Sequence, residues 1–95
     1  MPTTPTIYKL EQKAKALGAS ELGISRARDK RLYVIYDGMR LNFGLKTGST
    51  FIDHGNKTLR DAWYARHSKI KNKQGQYVIN LKTSPDYWAY HILWT

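Results

Sequence analysis

Two alternating runs, residues 32–36 (LYVIY) and 39–43 (MRLNF), stand either side of Asp37-Gly38, and no other feature of the chain constrains its fold as strongly. Asp-Gly between such runs is the signature of a type I′ hairpin, because both turn positions need positive φ. A two-residue loop leaves one register: Tyr36 opposite Met39, Val34 opposite Leu41, Leu32 opposite Phe43. All six are apolar or aromatic and define a core face, whereas Tyr33, Ile35, Arg40 and Asn42 form a semi-polar one. A lone hairpin is marginal in water, so other elements must cover it.

Helical signals on both sides supply that cover. Ile7, Leu10, Ala14 and Leu17 fall on one stripe of a 3.6-residue period, and Gly18 sits where a C′ glycine would stop a helix. Residues 1–6 before it are Pro/Thr-rich and read as a flexible arm or an extended contact strand. Residues 19–30 read as a connector that ends in the strongly basic SRARDKR. After the hairpin, residues 44–56 form a glycine-rich loop in which Phe51-Ile52 is expected as a short third strand.

Asn56 or Thr58 is placed to cap the next helix, with Thr58 and Asp61 at capping-box spacing. In that helix Leu59, Trp63, Arg66 and Ile70, broadened by Ala62, form the expected core stripe. Lys57, Arg60, Tyr64, His67 and Lys71 form a basic, aromatic-marked outer face. Residues 71–76 read as a basic turn around Gly75, and the alternation in 77–81 as a further short strand. Ser84-Pro85-Asp86 is a strong helix start, with Ser as N-cap and Pro at N1. The helix it opens is apolar almost all round.

Together these elements predict an α+β fold: a small antiparallel hairpin or sheet packed by two helices, with an additional N-terminal helix and arm. Residues 1–30 read as arm, helix and basic connector, and residues 31–95 as the compact α+β domain.

At 95 residues the chain makes one domain at most, with a single small core. It carries 16 Lys+Arg against 7 Asp+Glu, a net charge of +9, which points to an anionic partner, either nucleic acid or an acidic protein surface. Its 3 Trp, 7 Tyr and 2 Phe exceed what so small a core hides, and rings with arginines mark interfaces as well as cores. Cysteine is absent, which removes disulfides and thiolate zinc sites and fits a reducing compartment. The MPTTPTIYKL start lacks the pattern of a secretory signal, and no apolar run approaches the ~20 residues of a membrane span.

Several chemistries can be weighed against their plainer explanations. Asp53-His54 after a hairpin, followed by Asn56 and His67, has the outline of a ββα metal-dependent nuclease, but the spacing is too short and a second ligand is missing. The plainer explanation is that Asp53 and His54 bond the loop and help cap the helix. GLKTGST lacks the Gly-Lys-Ser/Thr core of a phosphate-binding loop. His54, His67 and His91 make a poor zinc set, so no metal or cofactor is expected. What remains is a surface for contacting anions or a partner: Arg26, Arg28, Lys30 and Arg31 from the connector, with Arg60, Tyr64, His67 and Lys71 from the helix. No recognition-helix or RNA-binding-sheet signature accompanies them.

The run 33–43 with Gly44, then Phe51-Ile52-Asp53-His54, Trp63 with Ala65-Arg66-His67-Ser68, and finally Ser84-Pro85, Trp88 and Ile92-Leu93-Trp94, resembles a family of short uncharacterised proteins of large double-stranded DNA viruses. The shared pattern is a hairpin ending in Phe-Gly, a helix ending in Ala-Arg-His and a closing Trp-rich helix. It covers roughly the last two-thirds of the chain. The resemblance implies a viral origin but carries no catalytic residues with it. By analogy it implies a non-enzymatic virion component, such as a minor capsid protein linking neighbouring capsid subunits from the inner side. Such a protein would be made in the host cytoplasm, assemble in many copies with other virion proteins, and touch nucleic acid through its basic face.

Overall fold

The computed structural model describes residues 7–46 and 48–95; the expected arm, 1–6, lies outside the described residues. In chain order the elements are α1 (Ile7–Ala16), β1 (Glu21–Ile24), β2 (Lys30–Tyr36), β3 (Met39–Leu45), α2 (Phe51–His54) and α3 (Lys57–His67). A 3₁₀ turn (Val78–Asn80) and α4 (Pro85–Trp88) follow, and α4 continues as a π-helical segment (Ala89–Leu93). The fold is a small α+β one, with helices packed on a three-stranded antiparallel sheet of order β1-β2-β3.

The hairpin forms as its turn chemistry requires. Asp37 and Gly38 take φ of 51° and 76°, and β2 pairs β3 with Leu32↔Phe43, Val34↔Leu41 and Tyr36↔Met39. Leu32, Val34 and Phe43 are buried, and the face tapers towards the turn, where Tyr36 and Leu41 are half-buried and Met39 is exposed. α1 ends in a Schellman motif: Ala19 N–H reaches Ala14 O at 3.0 Å and Gly18 N–H reaches Lys15 O at 3.0 Å, with Gly18 left-handed.

The segment expected as a connector instead contains a strand. Glu21–Ile24 pairs with β2, placing Leu22 opposite Val34 in the core and Gly23 opposite Tyr33. Glycine weakens a strand by leaving an unpacked position. Here the Tyr33 ring occupies that position, so closely that a Cβ on Gly23 would meet its Cε1 at 2.7 Å. Leu10, Ala14, Ala19 and Leu22 therefore belong to the same core as Leu32, Val34, Trp88 and Ile92, and residues before Arg31 share one hydrophobic cluster with those after it.

Two further strands expected from the sequence are helical. Phe51-Ile52 opens α2, because Asp53 reaches back to Thr50 and rewards a helical turn over an extended one. In 77–81, Tyr77 makes a single bridge to Lys71 before the chain turns 3₁₀. α4 starts as expected, with Ser84 Oγ accepting from Asp86 N–H at 3.3 Å. Trp88 is completely buried beside Ile92 and Leu93, and its indole N–H donates to Lys82 O at 2.8 Å.

Candidate functional site

Arg31 ties the loop after β3 to the hairpin. Arg31 donates from Nη1 and Nη2 to the Asp53 carboxylate at 2.7 and 3.0 Å, and Asp53 Oδ2 also accepts from the Thr50 N–H and hydroxyl, each at 2.9 Å. The Arg31 guanidinium, helped by the Thr50 bonds, holds the Asp53 carboxyl well below the usual carboxylate range against the opposing cost of burial. His54 Nδ1 accepts from Asn56 N–H at 2.8 Å, and Asn56 Oδ1 caps α3 by accepting from Thr58 and Leu59 N–H at 2.9 and 3.2 Å. Asp53 and His54 thus bond the loop and lead into the cap. Among the described residues no group of three or more His, Asp or Glu is arranged to hold a metal. The capping spacing Thr-x-x-Asp occurs at both Thr50/Asp53 and Thr58/Asp61; α2 uses the first, whereas Asp61 pairs with Arg60 at 3.3 Å.

α3 turns a different face inward from the one its periodicity predicted. Trp63 is buried, but Leu59, Arg66 and Ile70 are exposed, and the residues flanking Trp63 on its packed side are Arg60 and His67. The cause is a stack of rings. His67 lies 4.0 Å from Trp63 at 15°, and Trp94 lies 5.3 Å from it at 12°. Tyr90 is also nearly parallel to it, at 6.2 Å and 7°, so three rings stack around the Trp63 indole. Asp86 holds the stack from α4, with Oδ2 at 3.1 Å from His67 Nδ1. Arg60 lies over Phe51 at 4.9 Å. On the C-terminal side burial pushes the His91 imidazole down, helped by Lys13 and Lys82 nearby.

Between the sheet end and this stack lies a cleft of about 530 Å³. Lys30, Phe43, Gly44 and Leu45 form one wall; Trp63, Arg66 and His67 another; Pro85, Asp86, Ala89 and Trp94 a third, with Gly48, Ser49 and Thr50 closing the loop side. Of the eight residues singled out in the sequence, Lys30 and His67 line this cleft. Arg60 and Tyr64 line a smaller groove with Tyr90 and Trp94. Arg31 is committed to Asp53, Lys71 lies over Tyr77 at 4.8 Å, and Arg26 and Arg28 are exposed beyond the end of β1. The eight are thus spread over the cleft, the smaller groove, the Asp53 pair, the Tyr77 ring and the end of β1.

Arg66 and Trp94 are among the cleft residues that the sequence did not single out as partner contacts. Arg66 was hidden by the core stripe that ran through it. The competing stripe Arg60–Trp63–His67 has equally good helical spacing, and the chance for a histidine to stack on a tryptophan one turn away was its visible signal. Against known proteins, no family model, curated protein or solved structure matches this chain. No helix among the described residues is long and apolar enough to cross a membrane.

Proposed function

We propose that this chain is a non-enzymatic structural protein of a virion, a minor capsid protein that links neighbouring capsid subunits of a large DNA virus. The observation that carries this reading is the mixture of unburied apolar groups with surplus cations. Ile7, Ile24, Leu45, Leu59, Ile70 and Tyr77 stay exposed on a domain with a net charge of +9. Exposed apolar side chains set among cations suit docking to acidic protein surfaces. The sequence resemblance supplies the viral setting. The experiment is stepwise extraction of purified particles of the encoding virus, with the chain quantified by mass spectrometry in each fraction. It is expected in many copies with the capsid proteins, and absence from the particles ends the reading.

Non-sequence-specific nucleic-acid binding is the second reading, favoured by the exposed cations Arg26, Arg28, Lys69, Lys71 and Lys73. It requires affinity for duplex DNA that falls steeply with salt, as released counterions dictate, and a flat salt response removes it.

A further inference from the structure

We infer that the cleft beside Trp63 receives an extended acidic segment of a partner protein, which inserts one large apolar side chain while its carboxylates pair with Lys30 and Arg66. This rests on the protein-linking role proposed above and assigns its contact chemistry.

The cleft's size falls within the range of ligand sites, roughly 300–1,000 Å³. Its apolar surface comes from Phe43, Trp63, Ala89 and Trp94. Lys30 and Arg66 reach it from two different elements, and neither forms an ion pair among the described residues. The one carboxylate in the walls, Asp86, is already engaged by His67 at 3.1 Å. An occupant with its own carboxylates is therefore complementary, and a basic one is repelled.

Two observations favour a polypeptide over a nucleic acid. A base would need an open ring face to stack on, yet Trp63 is buried and already stacks with His67, Tyr90 and Trp94. Apolar groups are also exposed outside the cleft. Leu45, 61% exposed, lines the cleft, and a second groove elsewhere on the domain is lined by Ile7, Ile24, Leu32 and Lys46. Exposed apolar groups set among lysines fit an extended chain better than a compact ligand.

The test titrates the full-length isotope-labelled protein with synthetic peptides and follows its amide and indole N–H resonances. The first peptide carries one leucine between runs of aspartate and glutamate; the second has alanine for that leucine; the third has lysines for the acids. A single-stranded oligothymidylate is the nucleic-acid probe. The first peptide is expected to shift the indole signals of Trp63 and Trp94 and the amides of Gly44 and Ala89. The alanine peptide should bind about tenfold more weakly, and the lysine peptide should leave the spectrum unchanged. Arg66→Glu should weaken the first peptide by about tenfold or more, and Lys73→Glu, on the exposed turn away from the cleft, should not.

Failure of the acidic peptide to shift these signals overturns the inference. So does binding that Arg66→Glu and Lys30→Glu both leave intact, or oligothymidylate shifting the same signals at lower concentration. Because the peptides need no virion, their binding stands even if the chain is missing from particles. If the chain is present in particles and the peptides fail, the linking contact lies on another surface.

Discussion

The hairpin and the loop-plus-helix that follows it both deliver side chains to one core, and they do so under different rules. In β2 and β3 a two-residue turn fixes the register, and a period of two then fixes the face of every side chain. No distant contact is needed to decide that Leu32, Val34 and Phe43 point inward. In α3 a single anchor, Trp63, is compatible with two overlapping stripes, and the choice falls to partners far along the chain. Trp94 and Asp86 select the stripe that brings His67 to the stack and leave Leu59 in water. A strand pair with a tight turn specifies itself, whereas a short helix with one buried ring is specified by what it packs against.

The strongest way to break this contrast is to remove an anchor from each side. Trp88 packs against the hairpin through Tyr36 at 5.8 Å and is completely buried. Trp88→Ala should cost about 4–5 kcal/mol, close to the whole stability of a small domain, and should abolish the cooperative thermal transition. Trp63, 8% exposed at the edge of the loop–helix unit, should cost about 3 kcal/mol as Trp63→Ala and leave a folded, less stable protein. If Trp63→Ala proves the more damaging in denaturant titrations, the core is organised around α3 and the contrast is reversed.

The Arg31–Asp53 pair tests how firmly the loop is tied to the hairpin. Its side chains are 21% and 23% exposed, so solvent screens it only in part. Asp53→Asn should cost about 2 kcal/mol at neutral pH. Because the folded carboxyl titrates below its unfolded counterpart, whose value is near 4, the stabilisation is complete above that value. It is lost as pH falls through the lower folded value. Urea midpoints of the parent and Asp53→Asn should therefore differ most near neutrality and converge in acid. A gap that is constant with pH would show that the carboxylate charge plays no part.

The hairpin's own weak point is its turn. A Cβ on Gly38 meets nothing within 4 Å, so Gly38→Ala isolates the backbone cost of a left-handed position. About 1 kcal/mol of destabilisation is expected in urea titrations, with the fold retained.

What the sequence revealed and concealed follows the same division. The β2–β3 register, the Gly18 stop and the Ser84-Pro85 helix start all rest on neighbours a few residues apart, and all are legible. β1 was not, because it is four residues long and a glutamate and a glycine dilute its strand propensity; pairing with β2 and the Tyr33 ring over Gly23 make it a strand. Phe51-Ile52 has the composition of a strand, and the Thr50–Asp53 cap overrides it. The cleft was least legible of all. Lys30 and Arg66 meet there only because β2 and α3 are brought together by residues at the far end of the chain.

The smallest expected effect is the sharpest test of the helix faces. Leu59 is 51% exposed and should cost under about 0.5 kcal/mol as Leu59→Ala, the usual scale for a surface position. Arg60 carries its guanidinium over the Phe51 ring and a 3.3 Å contact to Asp61, and Arg60→Ala should cost about 0.5–1 kcal/mol. Charge would ordinarily mark Arg60 as the dispensable residue and Leu59 as the core one, so the order of the two losses decides which face is inward. Paired thermal melts of the two variants against the parent measure it directly. If Leu59→Ala is the costlier change, α3 is rotated so that Leu59, Trp63, Arg66 and Ile70 face the core. That rotation would carry Arg66 away from the cleft and leave Lys30 as its only unpaired cation.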